Sequence, residues 1–479
     1  MNDLIYSRAL DIVEALGREE ITPHDLLTAL EQRISEVDGD VNALPTLCFD
    51  RARQDADRIM RLPVHQRGLL CGFPIPIKDL DHVEGVRTTF GSPAFANHVA
   101  EKSDYIVQHL ENQGGIIFAK SNTPEFGAGG NTFNEVHGIT RNPWDLRKSA
   151  GGSSGGAAAA LASGTAWLAQ GSDNAGSLRN PASFCGIVGF RPTPGRVVRG
   201  PSTNPYQTLV SNGPMARNVE DVALFLDAMA GENPRDPLSL PTPVTPYLVA
   251  AQNRRKPLKV AFSPDLGITP VDLEIAEICR RAALRFEDMS VAVEETTPDL
   301  SGIHECYQTL RALEFSQSLS HLSNASRKQL KPELVENLEQ GLNLTNDEIS
   351  RATRTRGIIH GRFLRFFESY DILLTPTTIV APYPVEQRYV KSCNGVNFET
   401  YIDWLAIAYS VTLVSLPALS LPCGYTQAGL PVGLQMIGRG RGEAELLAAA
   451  LLMEEALALD LHPIQPRSYG DKPVVEKTV

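Results

Sequence analysis

The sequence predicts an α/β protein, because helical patterns alternate along the chain with short apolar segments typical of buried strands. Residues 103–113 have the pattern of a helix ended by two glycines, and residues 116–119 follow as an apolar strand. A strand at 258–262 and a helix at about 272–286 repeat the alternation. Units of this kind are typical of a mostly parallel sheet.

The N-terminal elements are predicted from clear helix signals. Residues 3–60 have helical periodicity, and Thr22 and Pro23 are predicted to start one helix as its N-cap and its first residue. One face of that helix would carry the apolar residues Leu26, Leu27, Leu30 and Ile34. An alanine-rich helix is predicted at residues 157–162, directly after the segment GGSSGG. The N-terminus of that helix favours negative charge beside the glycines.

The second half of the chain continues the alternation. Residues 233–257 are rich in proline and are predicted to form a surface crossover. Beyond them we expect a strand at 372–374, a hairpin of strands at 418–421 and 432–437, and a strongly apolar helix at 443–457.

Composition and charge argue against several classes of function. The chain has 479 residues and a formal net charge of −12, and no basic cluster is longer than residues 254–256, so no nucleic-acid partner is expected. The longest weakly polar run, residues 157–169, is too short to span a bilayer, so we expect no membrane partner. Seven scattered cysteines without CxxC spacing, and first residues without a basic signal, predict a cytoplasmic protein with reduced thiols.

No cofactor and no metal site are predicted. The HExxH pattern is absent, and His304 and Cys306 together would supply just two ligands. The glycine-rich fingerprints of phosphate loops and of dinucleotide-binding folds are absent as well.

The segment GSDNAGSLRNPA contains the strongest candidate for a reactive residue. Ser177 follows two small residues, Ala175 and Gly176, which leave backbone N–H groups bare and able to point at one spot. A serine oxygen beside such amides suits acyl transfer, because the amides can hold the negative charge that forms on the attacked carbonyl oxygen. A flexible glycine-serine linker is the alternative interpretation of these residues alone.

A serine nucleophile needs a base, and the residues alone leave several open. His82 and His137 are the histidines nearest in sequence to the glycine-rich segments, but neither has a context that marks it as a partner of Ser177. Lys78 follows an apolar run in CGFPIPIKDL, where burial would lower the pKa of its amine and favour a neutral base. A solvated surface lysine is the alternative.

Three motifs in order resemble the amidase signature family. They are PIPIKD with Lys78, SAGGSSGGAAAALASG with Ser153, and GSDNAGSLRNPASFCGIVGFRPTPGRV with Ser177. Flanking segments also match, among them AKSNTPEFG, GPMARNVEDVALFLDAMAG and GLPVGLQMIGR. The resemblance covers about residues 65–455, nearly the whole chain.

The resemblance implies a fold and a reaction. The fold would be a single large α/β/α domain around a mixed twisted β-sheet, spanning residues 65–479, with the helices of residues 1–64 packed on its outside. The reaction would be hydrolysis of a small-molecule carboxamide without a cofactor, and a homodimer is compatible with it.

The resemblance also assigns roles to residues. Ser177 would be the nucleophile, Lys78 the base, and Ser153 the serine that bridges them, after a cis peptide bond from Gly152. The backbone N–H groups that would hold the oxyanion are those of Asn174, Ala175, Gly176 and Ser177. Water would then cleave the acyl-enzyme.

Three further residues near the nucleophile are expected to support the loops. Ser154 completes a GxSxG pattern, but the preceding NPWDLRKSA does not have the pattern of the buried strand that a nucleophile elbow needs, so Ser154 is expected to hydrogen-bond within the loop. Asp173 and Arg179 are expected to form an ion pair that fixes the loop. Substrate recognition by Arg179 is the alternative.

This sequence departs from the commoner family pattern at two places. DNAGS stands where DTGGS is more usual, and the methyl group of Ala175 tolerates a positive φ less well than glycine does. Residues 401–417 lack the Asn-Leu-Ala-Gly run found in the glutamine-hydrolysing component of tRNA-dependent amidotransferases, and Thr412 lies near the position of that Asn. The second departure favours a stand-alone hydrolase over such a component, which works only with partner chains. A catalytically silent binding relative is the other alternative.

The substrate pocket is predicted to have four walls, at residues 125–131, 201–211, 306–315 and 378–404. The first wall would contribute three binding residues, Phe126, Gly127 and Ala128. The aromatic residues Tyr206, Tyr383 and Trp404 would favour an apolar or aryl acyl group, and the alternative is that these rings belong to the core.

Overall fold

The structure is a computed structural model, and it describes residues 2–468. Its helices, numbered in chain order, are α1 (Asn2–Tyr6), α2 (Ala9–Gly17), α3 (Pro23–Val41), α4 (Phe49–Met60), α5 (Tyr105–Asn112), α6 (Gly155–Ser163), α7 (Arg179–Cys185), α8 (Val219–Met229), α9 (Tyr247–Gln252), α10 (Leu273–Asp288), α11 (Ile303–Leu319), α12 (Asn324–Arg327), α13 (Pro332–Leu342), α14 (Asn346–Ser369), α15 (Ala406–Leu413) and α16 (Glu443–Leu457).

The strands are short, and several are buried along their whole length. They are β1 (Thr46–Leu47), β2 (Pro74–Lys78), β3 (Ile116–Ser121), β4 (Phe133–Asn134), β5 (Gly138–Ile139), β6 (Arg141–Asn142), β7 (Asp145–Ser149), β8 (Leu168–Asp173), β9 (Val188–Arg191), β10 (Ser211–Ala216), β11 (Lys259–Phe262), β12 (Ala292–Glu295), β13 (Ile372–Pro376), β14 (Ser392–Cys393), β15 (Val396–Asn397), β16 (Ala418–Tyr425) and β17 (Pro431–Ile437).

The central sheet is mixed, as the family resemblance predicts. Eight strands follow the order β12-β11-β13-β17-β16-β9-β10-β8. β12, β11 and β13 are parallel, whereas every pairing from β13–β17 to β10–β8 is antiparallel. The mostly parallel sheet expected from the first helix–strand unit is therefore wrong. The strand of that unit, β3, lies in a separate three-stranded sheet, where it pairs in parallel with β2 and antiparallel with β1.

The elements with strong local signals form where the sequence predicts them. Thr22 caps α3 in a capping box with Asp25, and Pro23 is its first residue. The alanine-rich segment forms α6, and the last predicted helix is α16, Glu443–Leu457. The predicted hairpin is β16 and β17, which pair antiparallel.

The proline-rich crossover contains a helix that the sequence does not predict. α9 begins after Pro246, and its first N–H groups are capped by Asp227 of α8, with Tyr247 N donating to Oδ1 at 2.6 Å and Leu248 N to Oδ2 at 2.9 Å. Because the cap comes from a residue about twenty positions earlier, no local signal marks the start of this helix.

The larger of two hydrophobic clusters in the described part of the chain contains residues of both the N-terminal helices and the sheets. Ile12 of α2 and Leu30 of α3 belong to the same cluster of buried residues as Phe118 of β3 and Leu447 of α16. The division of the chain at residues 64 and 65 stays a prediction. No helix among residues 2–468 has both the length and the apolar character needed to cross a membrane.

Helix α6 is buried along its whole length, and its glycines allow this close packing. A Cβ at Gly155 would lie 2.2 Å from Thr132 Oγ1, and one at Gly156 would lie 2.3 Å from the backbone N of Asn122. The first turn of α6 is therefore packed directly against its neighbours. A strand, β7, does precede the loop before α6, but it is largely exposed or half-buried and pairs with the two-residue strand β6 and, through a single bridge, with Pro384, unlike the buried strand of a nucleophile elbow.

Candidate active site

The ends of three buried elements meet at one cavity of about 240 Å³. β2 ends at Lys78, β8 ends at Asp173 just before the loop with Ser177, and α6 begins at Gly155 just after Ser153. Ser153 and Ser177 both line the cavity. The three sequence motifs are thus brought together in space, and the peptide bond between Gly152 and Ser153 is cis.

The amine of Lys78 contacts several hydroxyl groups. Its Nζ atom lies 2.7 Å from Ser153 Oγ, 2.8 Å from Ser154 Oγ, and 3.2 Å from both the Oγ and the carbonyl oxygen of Ser172. The side chain is fully buried. The backbone N–H of Lys78 donates to Gln170 Oε1 at 3.0 Å, which ties β2 to β8. The amine therefore faces hydroxyls in a position closed to bulk water.

Burial lowers the pKa of Lys78 to about 7, although Asp81 and Asp173 act in the opposite direction. Removing an ammonium group from water disfavours its charged form, and here the nearby carboxylates compensate for only part of that cost. Burial also raises the pKa of Asp81 to about 6, with a further contribution from Asp104. Lys78 is therefore largely neutral just above neutral pH, as a base must be.

The loop with Ser177 is fixed by the carboxylate of Asp173. The N–H of Gly176 donates to Asp173 Oδ1 at 2.9 Å, and the N–H of Leu178 donates to Oδ2 at 3.1 Å. Gly176 has a φ of 94°, and a Cβ there would lie 2.5 Å from the Cβ of Ala408. The positive φ falls on Gly176 and not on Ala175, so the methyl group of Ala175 adds no strain of that kind.

This arrangement corrects one part of the oxyanion prediction. The N–H of Gly176 is already donated to Asp173, so it is not free to hold an oxyanion. Among the described residues, no acceptor takes the N–H groups of Asn174, Ala175 or Ser177, and Asn174, Ala175 and Ser177 all line the cavity. These three remain the predicted donors.

Asp173 and Arg179 form the ion pair that is expected from the sequence. Arg179 Nη2 lies 2.8 Å from Asp173 Oδ1, Arg191 Nη1 lies 3.4 Å from the same oxygen, and all three side chains are fully buried. The two guanidinium groups hold the pKa of Asp173 well below its usual range, against the effect of burial. Arg179 also donates to Gln435 Oε1 and Thr412 Oγ1 and does not line the cavity, so the alternative of substrate recognition by Arg179 is not supported.

The side chain of Asn174 has a partner at each end of its amide. Nδ2 donates to Glu314 Oε2 at 2.6 Å, and Oδ1 accepts from the hydroxyl of Tyr307 at 2.9 Å. Both partners are on α11. The ring of Tyr307 is stacked on Tyr409 with centroids 4.1 Å apart. No local signal in the sequence marks these contacts, because α11 lies more than a hundred residues from the serine loop.

Some of the predicted pocket residues line the cavity, and others do not. Phe126 and Gly127 line it, whereas Ala128 is buried beside it and its carbonyl accepts from Lys331 Nζ. Tyr206 is wrong as a wall residue, because its side chain is 73% exposed at the surface. The wall predicted at residues 378–404 is also wrong, since no residue of that range lines the cavity.

The two other predicted aromatics belong to the core, which is the alternative that the sequence left open. Trp404 is stacked near Phe184 at 6.5 Å and meets Tyr383 edge-on at 5.8 Å between ring centroids. Their rings are used for packing. The aromatic wall is instead made by Phe90, Phe126 and Phe315, of which Phe126 was among the predicted binding residues and Phe315 marked the end of a predicted wall.

His82 and His137, the two histidines considered as the catalytic base, contact residues other than Ser177. His137 Nε2 lies 3.3 Å from Thr89 Oγ1 and 3.6 Å from Asp79 Oδ2, and His82 Nδ1 lies 3.2 Å from Asp104 Oδ1. Neither histidine lines the cavity or contacts a serine of the three motifs among the described residues.

Comparisons with known proteins give matches along nearly the whole chain. A family model described as Amidase matches residues 25–447. The acylamidase of Rhodococcus erythropolis is 35% identical over 457 residues, covering 94% of this chain and 96% of the relative. The A component of the glutamyl-tRNA(Gln) amidotransferase of Moorella thermoacetica is 35% identical over 480 residues, covering 95% and 97%. The solved structure of a bacterial aryl acylamidase, an amidase signature enzyme, matches with a TM-score of 0.88 at 26% identity, covering 94% and 96%.

Proposed function

The chain belongs to the amidase family and is an amide hydrolase, and we propose that it cleaves a carboxamide through an acyl-enzyme on Ser177. One observation carries the proposal. The buried amine of Lys78 lies 2.7 Å from Ser153 Oγ, and Ser153 lines the same cavity as Ser177. Lys78, Ser153 and Ser177 are the proposed catalytic residues.

The proposed chemistry is a proton relay from serine to serine to lysine. Neutral Lys78 accepts a proton from Ser153, which accepts one from Ser177, and Ser177 Oγ attacks the amide carbon. The N–H groups of Asn174, Ala175 and Ser177 stabilise the oxyanion. The relay then runs in reverse to protonate the departing amine or ammonia, and a water molecule hydrolyses the acyl-enzyme to the carboxylate.

The cavity wall supports an aryl or other apolar group on the substrate. The rings of Phe90 and Phe126 are stacked with centroids 5.7 Å apart, and Phe315 lines the same cavity. Aromatic side chains bind flat apolar groups through offset and edge contacts. Two of the similar proteins are named an acylamidase and an aryl acylamidase, which agrees with a small-molecule amide of this class.

A trapping experiment tests the nucleophile. A fluorophosphonate should modify Ser177 and inactivate the enzyme, and peptide mass spectrometry locates the adduct. The matched control is Ser154→Ala, which should still be modified at Ser177, whereas Ser177→Ala should not be modified. An adduct on Ser154 would instead favour the nucleophile-elbow interpretation and overturn the assignment.

The glutamine-hydrolysing component of a tRNA-dependent amidotransferase is the second candidate, because one such protein is equally similar to this chain. Against it, Thr412 occupies the region where the resemblance leads us to expect the Asn of such proteins, and here its hydroxyl accepts from Arg179 Nη2 at 3.3 Å. The purified chain alone should turn over an aryl amide rapidly. The second candidate would be favoured if the protein hydrolysed glutamine but no aryl amide, and did so only after partner chains were added.

A catalytically silent relative is the third candidate, and the three filled catalytic positions argue against it.

We also propose that the protein acts in the cytoplasm, since its seven cysteines all carry free thiols. A homodimer stays a prediction, which light scattering on the purified protein measures.

A further inference from the structure

Two arginines line the catalytic cavity without an acidic partner. Within the described residues, neither Arg199 nor Arg311 takes part in an ion pair, although both line the cavity that exposes Ser177. The guanidinium group of Arg199 also has no hydrogen-bond partner there, and only the backbone N–H of this residue is used, donating to Asp236 Oδ2 at 2.9 Å. The five N–H donors of the Arg199 guanidinium are therefore available to a ligand.

Arg311 brings a second positive charge, and the hydrogen-bond acceptors of its guanidinium group are neutral. Its side chain is 4% exposed, Nη2 donates to the hydroxyl of Tyr401 at 2.6 Å, and Nη1 donates to Asn337 Oδ1. Its guanidinium carbon also lies 4.5 Å from the ring centroid of Phe315 in the cavity wall. A buried cation held by neutral groups keeps its full charge, so it raises the positive potential of the cavity.

The carboxylate on this wall of the cavity, that of Glu314, is already engaged in hydrogen bonds. Glu314 lines the cavity, and its two oxygens accept from the side-chain amides of Asn174 and Gln207. Gln207 is in turn held by Val210, whose N–H donates to Gln207 Oε1 at 2.9 Å. Glu314 influences both arginines from a distance but pairs with neither, which leaves this wall with two positive charges and one negative charge.

The other acidic residue of the cavity is Asp81, which interacts with a different set of charged groups. Asp81 lines the cavity as well, but the charged groups that act on it are Asp104, Lys120 and Lys78. Lys120 contacts the carbonyl oxygen of Asp81 at 2.7 Å. Asp81 is therefore part of the surroundings of the catalytic lysine and does not neutralise the wall with Arg199 and Arg311.

We propose that the cavity binds an amide substrate that also carries a carboxylate, and that Arg199 is the residue that selects it. The proposal rests on the proposed function of the same site. An arginine fork matches the two oxygens of a carboxylate, and Arg311 adds long-range attraction. Phe90, Phe126 and Phe315 would hold the apolar part of the same molecule. The substrate class is thus an aryl or apolar amide with an anionic group.

Two pairs of substrates test the proposal, and each pair differs in one charge. The first pair has the carboxylate on the amine side, para-acetamidobenzoate against para-acetamidotoluene. The second pair has it on the acyl side, the para-nitroanilide of succinic acid against that of pentanoic acid. The wild-type enzyme should prefer the anionic member of at least one pair. No preference for the anionic member in either pair would overturn the proposal.

Substitutions of Arg199 test whether this residue causes the preference for the anionic substrate. Arg199→Met should lower kcat/KM for the preferred anionic substrate about 10- to 100-fold more than for its neutral partner, because a charged hydrogen bond is lost. Arg199→Lys should retain part of the preference. Arg354→Met, which removes an exposed arginine of α14, is the control and should change neither rate. An equal loss on both members of a pair after Arg199→Met would overturn the assignment.

The result also separates this proposal from the proposed function. If neutral amides are hydrolysed by the wild type and not by Ser177→Ala, the catalytic assignment stands whether or not the anionic preference is found. If no member of either pair is hydrolysed, both proposals fail for these substrates, and the trapping experiment on Ser177 then decides the catalytic assignment separately.

Discussion

The side-chain amide of Asn174 donates a hydrogen bond of 2.6 Å to the carboxylate of Glu314. Because Asn174 is the first residue of the loop that leads to Ser177, this contact ties the loop to α11. The hydroxyl of Tyr307 fixes the other end of the same amide at 2.9 Å. The departure DNAGS from the commoner DTGGS therefore comes with partners for the new side chain.

Removing one of these partners should slow catalysis more than it weakens binding. Tyr307→Phe deletes a hydroxyl that does not line the cavity and leaves Asn174 Oδ1 without its donor, a loss of about 1 kcal/mol. We expect kcat to fall roughly fivefold with KM nearly unchanged, measured by steady-state kinetics. Tyr409→Phe is the matched control, since its hydroxyl contacts His304 and its ring stays stacked on Tyr307. A change in KM alone would contradict a role in positioning the loop.

The pH profile should report the titration of Lys78. Burial lowers its pKa to about 7, so the amine is charged and inactive as a base below that pH and neutral above it. We expect kcat/KM to rise as the pH rises through about 7 and then to level off, as measured in buffers of constant ionic strength. A rise centred near pH 10 would mean that the amine keeps its ordinary pKa and would contradict the assignment.

Ser153 and Ser154, the two serines with the shortest contacts to the Lys78 amine, should differ in their importance for catalysis. Ser153 lies in the proposed relay, so Ser153→Ala should lower kcat about 100- to 10,000-fold, the range of a lost acid–base step. Ser154→Ala removes a contact at 2.8 Å but leaves the 2.7 Å contact to Ser153, and should cost roughly tenfold or less. Both variants should give far-ultraviolet circular dichroism like that of the wild type. Equal losses in the two variants would contradict the relay.

The ion pair behind the serine loop should matter for stability. Arg179→Met leaves Asp173 buried beside a single, more distant guanidinium group, and should lower the free energy of unfolding by about 3–5 kcal/mol. Chemical denaturation measures this change in the free energy of unfolding directly, whereas an activity assay does not. The control is Arg354→Met on the surface, for which we expect no measurable change. A loss below about 1 kcal/mol for Arg179→Met would show that Arg191 alone satisfies Asp173.

The sequence predicted which motifs meet in space better than it predicted the walls of the pocket. Lys78, Ser153 and Ser177 lie in compact motifs, so three short segments sufficed to propose that they meet. Arg199 and Arg311 reach the cavity only through the folding of distant segments. Tyr206 was misplaced because composition does not tell an exposed ring from one that lines a cavity.

The sheet illustrates the same limit. A helix followed by a strand, as in α5 and β3, says that the strand is buried but not which neighbours it pairs with or in which direction. β3 pairs with β1 and β2, and both of these strands lie well before β3 in the sequence. Helices such as α3 were predicted well, because Thr22 and Pro23 act on the same turn that they start.

The separate origin of the cavity walls has a consequence for protein engineering. The proposed machinery is anchored at the ends of buried elements, whereas Phe315 and Arg311 come from α11, and Phe90 and Arg199 from loops. Mutant libraries limited to those wall positions should redirect the enzyme toward other amides while the proposed nucleophile Ser177 and the proposed base Lys78 stay unchanged. Diversity introduced at α6 would instead be eliminated early, since no room is left around its glycines.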